Sequence, residues 1–198
     1  MIQRVQAILM KPKDTWAVIG AEPASINGLY SGYIVPLAAI PAIAGFIGLS
    51  LIGTTVFGVT YHTPIVAGIV RAVLVYVFTL VGCYIGAVIA EMLAPSFGGV
   101  KDRVQGLKLV AYAYTPSWIL GIIAILPILS PVVILGSLYG LYLLYLGVGP
   151  TMKVPEDKAI VYTIVLVVAM VVISLVIFAV VGSIVAAMAV GGAMMLTR

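Results

Sequence analysis

The chain has 198 residues, 64% of them hydrophobic and 8% charged, with a net charge of +4. Soluble domains carry about 25% charged residues, so a water-soluble fold of this composition would expose large apolar patches, and the bilayer is the solvent that suits it. The ten Lys and Arg fall in short segments between apolar runs rather than in a basic stripe, a pattern that suits anionic lipid headgroups and not nucleic acid.

At the start, Ile2, Val5, Ile8 and Leu9 recur at helical spacing with Gln3, Arg4 and Gln6 between them, and Lys11, Lys13 and Trp16 follow. Residues 1–28 therefore read as a cytoplasmic segment with a short helix lying in the headgroup region. They hold no continuous apolar core of signal-peptide length, so insertion is expected through the first span. That span covers residues 29–53, is free of charge, and contains Pro36 and Pro41, which should bend or partly unwind it. The second covers 65–93, with Thr63 to cap it, Pro64 at its first turn and Pro95 beyond its end. Residues 109–149 are uncharged and long enough for two spans, and Pro127 and Pro131 divide them into a helical hairpin, 107–126 and 131–148. A fifth span runs over 159–190, introduced by Pro155 and the acids Glu156 and Asp157. The fold expected is all-α, a polytopic transmembrane bundle of about five spans forming a single domain over 29–198.

With the N-terminus inside, the inner segments carry Arg4, Lys11, Lys13, Lys101, Arg103, Lys108, Lys153 and Lys158, and the outer ones only Arg198. This alternation follows the positive-inside rule and places the C-terminus outside. A multi-pass membrane protein is the localisation this pattern implies.

Motifs of soluble enzymes are missing. There is no Gly-rich phosphate loop, no Gly-x-Ser-x-Gly elbow and no His-Glu-x-x-His. The single histidine, His62, sits in an outer loop, and the single cysteine, Cys83, reads as a packing residue. No catalytic residue, metal site or cofactor is expected. Arg71 and Glu91 are the charges nearest the membrane interior. The 19 residues Ala72–Ala90 between them make about 28 Å of helix, close to the hydrocarbon thickness, so each can reach an interface.

A hydroxyl cluster stands out in the inner half. Tyr112, Tyr114 and Thr115 lie early in the third span, Tyr139, Tyr142 and Tyr145 late in the fourth, and Tyr84 two turns before Glu91. They can serve as interhelical hydrogen bonds and an aromatic belt. Alternatively Glu91, Tyr112, Tyr114 and Tyr142, with Arg71 as a further intramembrane charge, line a polar site for a cation or headgroup. Gly82 with Gly86 and Gly136 with Gly140 permit close helix approach, within the chain or in a homo-oligomer such as a dimer. Membrane lipids and an unidentified membrane protein are the other partners considered.

Ile8-Leu9-Met10-Lys11-Pro12-Lys13 with Trp16, the run Tyr112-Ala113-Tyr114-Thr115-Pro116-Ser117-Trp118, and Leu141-Tyr142-Leu143-Leu144-Tyr145-Leu146-Gly147 leading to Lys158-Ala159 together resemble the Yip1 family of five-span membrane proteins, in its short prokaryotic form. The resemblance implies a cytoplasmic N-terminus, five spans and an external C-terminus. Eukaryotic relatives bind small GTPases in vesicle traffic through a longer N-terminal region than the 28 residues present here. Two functions are carried forward: a non-enzymatic scaffold for membrane organisation or trafficking, and, as the alternative, a small channel or transporter for a cation or small polar solute.

Overall fold

The computed structural model describes residues 1–196, apart from the side chains of Val56, Ser130 and residues 189–196. Arg198, the outer cation of the charge count, lies outside the described residues.

Two short helices open the chain, α1 (Ile2–Met10) and α2 (Pro12–Ala21). Pro12 separates them, because the residue before a proline is driven out of the helical region, and Lys11 accordingly stands at φ −135°. The first spanning helix, α3 (Ile26–Ile52), starts at Ser25 rather than near residue 29. The Ser25 side chain accepts from the Gly28 amide at 3.1 Å, and a cap, not the hydropathy edge, fixes a helix start. Pro36 and Pro41 sit in its α-helical middle, Val35–Phe46, and π-helical turns flank that middle at Tyr30–Ile34 and Ile47–Ile52. A proline ring collides with the carbonyl one turn earlier, and the wide turn ahead of Pro36 makes room for it.

Gly53, at φ 85°, ends α3. A hairpin follows, β1 (Thr54–Val56) and β2 (Val59–Tyr61), paired antiparallel with Thr54 opposite Tyr61. Its two-residue turn, Phe57-Gly58, has positive φ at both positions, 50° and 80°, the primed geometry that suits a hairpin. The sequence carries no hairpin signal here, since three-residue strands closed by Phe-Gly lack the usual Asn-Gly turn.

The remaining spans are α4 (Ile65–Phe97), α5 (Arg103–Ile125), α6 (Val133–Met152) and α7 (Glu156–Leu196). The five segments from α3 to α7 are long and apolar enough to cross a membrane. Asp102 caps α5, accepting from the Gln105 amide at 3.0 Å, and draws the helix start out to Arg103. A 3₁₀ segment, Pro127–Val132, joins α5 to α6.

α5 is the central helix, packed against α3, α4 and α6. Leu107, Leu109, Val110 and Ala111 along it are buried. α7 packs on α4 and α6 at the edge of the bundle. Backbone approaches are close where side chains are small: a Cβ at Gly140 would stand 2.8 Å from the Ala113 carbonyl oxygen, and one at Gly106 2.7 Å from that of Ala87. Among lipid tails the gain comes from such contact rather than from escaping water.

The N-terminal helices belong to this core. Ile8, Trp16 and Ile19 are fully buried in the same cluster as α5 and α6, and α2 lies along α6. Where one short helix is expected there are two, and both dock on the bundle. They cover the end where α4 finishes, α5 begins, α6 finishes and α7 begins. The Val100 amide donates to the Met152 carbonyl there at 2.8 Å, and a Cβ at Gly20 would touch the Pro150 carbonyl oxygen at 2.5 Å. Arg4, Lys11, Lys13, Lys101, Arg103, Lys108, Lys153 and Lys158 all belong to these segments, which form the basic end of the molecule.

Candidate functional site at the basic end

The last turn of α2 leaves its carbonyls without helical donors, and α5 supplies them. Lys108 Nζ donates to the Ile19 oxygen at 2.8 Å and to the Glu22 oxygen at 2.6 Å, and Gln105 Nε2 donates to the Gly20 oxygen at 3.1 Å. Gln105 and Lys108 are three residues apart, one turn of the same face. A lysine at a helix C-terminus also meets the negative end of the helix dipole. Lys108 is 1% exposed, so this is a buried cation satisfied by backbone oxygens. Arg4 Nη2 then donates to Glu22 Oε2 at 2.6 Å, tying α1 to the residue that follows α2.

Below this clamp lies an aromatic plug. The Trp16 ring fills the space that glycine leaves open at position 147, where a Cβ would fall 2.7 Å from Cζ2. Trp16 meets Tyr112 edge to face with ring centres 6.1 Å apart, and Tyr112 meets Tyr33 at 4.6 Å. Tyr33 shares a 2.7 Å hydrogen bond with Thr115. The Tyr139 hydroxyl donates to the Leu9 carbonyl at 2.8 Å, bracing α1 against α6. Chemically this is a closed cap in which the Trp16 indole N–H and the Gln105 side-chain oxygen are buried without partners, and among the described residues no three His, Cys, Asp or Glu converge as metal ligands.

The four residues expected to share a site are in separate surroundings. Glu91 accepts from Arg103 Nε at 2.7 Å, and Arg103 Nη1 donates on to the Tyr84 hydroxyl at 3.1 Å, with its guanidinium over that ring. Glu91 thus gains an arginine from the next helix in place of tyrosine donors. Tyr112 belongs to the plug. Tyr114 stacks on Trp118 at 5.8 Å and lines a crevice of about 250 Å³ between α5, α6 and α7. Residues two apart on a helix point about 200° from one another, so Tyr112 and Tyr114 could not face one cavity. Tyr142 is exposed on the outside of α6 beside Tyr139. Arg71 stands near the opposite end of α4, six residues after its start. The expected cluster of Glu91, Tyr112, Tyr114 and Tyr142 is replaced by the Lys108 clamp and the Trp16 plug.

The Yip1 domain matches residues 7–178, from within α1 to within α7. The chain belongs to the Yip1 family. Its Yip1 domain takes in the clamp, the plug and all five spans, so the N-terminal helices are part of the domain and not an appendage to it. The inner membrane protein YohC of Escherichia coli strain K12 is 24% identical over 170 residues, covering 82% of this chain and 85% of that protein, and the YohC of Escherichia coli O6:H1 matches equally. No solved structure matches. Within the Yip1 motif at the start of the chain, Trp16 was legible, but its place in the core was not. In the sequence Lys108 reads as one of the inner cations and Gln105 carries no signal of its own, although a lysine four residues before Tyr112, one turn after a glutamine, is the spacing of a face that must meet something polar.

Proposed function

We propose that this Yip1-family chain is a non-enzymatic scaffold of a prokaryotic inner membrane, organising lipids or partner proteins at its basic end. The observation that carries this reading is the plug: Trp16, Tyr33 and Tyr112 are 0%, 4% and 5% exposed, so that among the described residues the basic end is packed shut around them. Eight cations in the segments of that end and the positive-inside rule support a cytoplasmic N-terminus and an external C-terminus, and the name of the Escherichia coli relatives, inner membrane protein, supports the membrane.

The transporter alternative keeps one supporting feature, the hydroxyls of Tyr114, Ser117, Ser137 and Ser174 along the α5–α6–α7 crevice. Reconstitution into liposomes carrying a cation-sensitive dye separates the two. A scaffold leaves permeability to cations and small polar solutes at the level of protein-free liposomes. Protein-dependent flux abolished by Glu91→Gln would overturn the scaffold in favour of transport.

A further inference from the structure

We infer that Arg71 and the groove between α4 and α7 form a binding site for an anionic phospholipid, with the phosphate on the guanidinium and an acyl chain along the groove. The site lies at the end away from the clamp and stands independently of whether the basic end docks partners.

Arg71 is partly buried inside an apolar span and takes no part in a hydrogen bond or ion pair among the described residues. Among the described residues no side chain offers it a counterion. All six acidic side chains, Asp14, Glu22, Glu91, Asp102, Glu156 and Asp157, lie in the segments of the basic end. A guanidinium left bare at membrane depth is costly, so a negative charge must come from the surroundings, and in a bilayer that charge is a lipid phosphate. Arginine suits it, because its planar fork matches two phosphate oxygens. A lipid with net charge −1 balances the site, whereas a zwitterionic lipid brings an ammonium group that nothing here accepts.

The surrounding shape fits the same ligand. On one side Arg71 lines a cavity of about 270 Å³ with Pro41, Gly45, Ala124 and Pro127. On the other side Arg71 heads a groove of about 620 Å³ lined by Val75, Phe78, Gly82, Ile177, Val181 and Gly182. From Arg71 to Cys83, at the groove's deep end, α4 rises about 18 Å, a little more than half of the roughly 30 Å hydrocarbon layer, which is the reach of one leaflet's acyl chain. Thr79 and Ser174 in its wall donate to carbonyls of their own helices, Val75 and Met170, so the wall presents apolar surface and Arg71 is the charged group at its head. Arg71 lies about 9 Å along α4 from Ile65, near the level where phosphates meet hydrocarbon when Glu91 is at the other interface.

The test uses the full-length protein in nanodiscs with equal phosphatidylglycerol and phosphatidylethanolamine, each in turn carrying a photoactivatable acyl chain, with cross-links mapped by mass spectrometry. Phosphatidylglycerol is expected to label α4 and α7 within 75–82 and 177–182 in preference to phosphatidylethanolamine. Arg71→Gln should cut that labelling about tenfold, the worth of one hydrogen bond to a charged group, while Arg71→Lys keeps part of it. Gly182→Phe fills the groove where a Cβ at Gly182 meets no atom within 4 Å, and should lower labelling with Arg71 in place. Equal labelling by the two lipids, or phosphatidylglycerol labelling unchanged in Arg71→Gln and in Gly182→Phe, would overturn the assignment.

Discussion

At the scale of single residues, the weight falls on side chains that join the N-terminal helices to the bundle. Trp16 is wholly enclosed, so Trp16→Ala opens a cavity and should lower stability by about 3–5 kcal/mol, read as a large fall in Tm by thermal unfolding in detergent. Lys108→Met removes the donor to the Ile19 and Glu22 carbonyls, and hydrogen bonds to a charged group contribute about 1.5–3 kcal/mol. Protease should then cut between α2 and α3 in the variant while the wild type resists, and equal cleavage of both would remove Lys108 from the clamp. Glu91→Gln is the contrast. Glu91 is buried but its partner Arg103 is half exposed, so the amide leaves the arginine in reach of water rather than stranding a buried charge, and the Tm should move less than in Trp16→Ala. Glu91 was legible as an unusual charge, but its partner was not, because Arg103 is brought beside it only by the turn between α4 and α5. Lys108 was hidden for the opposite reason: it was counted among loop cations, and the carbonyls that bury it belong to a helix end about 90 residues away in sequence.

At the scale of elements, hydropathy made five spans legible, and prolines made the distortion of α3 legible. Helix ends were less so, since Ser25 and Asp102 set them through capping bonds rather than through apolar content. The glycine pairs were legible as close-packing sites but their partners were not. Gly136 and Gly140 press on the backbone of α5, a Cβ there lying 3.0 Å from the Pro116 oxygen and 2.8 Å from the Ala113 oxygen, and Gly86 presses on Met170. These contacts are spent inside the chain, which takes from a homodimer most of the small-residue surface that suggested it. Gly82 differs, with Ile177 at 3.6 Å from its would-be Cβ. Gly140→Ala should therefore cost about 1–3 kcal/mol through overpacking. Gly82→Ala should be neutral or stabilising by up to about 1 kcal/mol, from helix propensity alone. Matched thermal melts of the two variants check the difference in sign.

At the scale of the whole molecule, an uneven distribution of order sets the functional reading. The basic end is closed by α1 and α2, held by cations against carbonyls and by aromatic rings against glycine. The opposite side is looser, with α7 packed mainly on α4 and α6 and a groove left between α4 and α7. That asymmetry was not legible in composition, because the same Leu, Val and Ala content fills both halves. It follows from where the residues with specific geometry fall: Trp16, Tyr33, Lys108 and Tyr112 at one end, and mostly aliphatic side chains and glycines along the other. The central claim is that the basic end is sealed. Ala111, next in sequence to Tyr112 of the plug, lies at 0% exposure, and Ala111→Cys in a Cys83→Ala background probes it with a membrane-impermeant maleimide added from the N-terminal side. The account predicts no labelling of the folded protein and full labelling after denaturation. Labelling of the folded protein at the rate of an exposed cysteine would reveal an aqueous vestibule and contradict it.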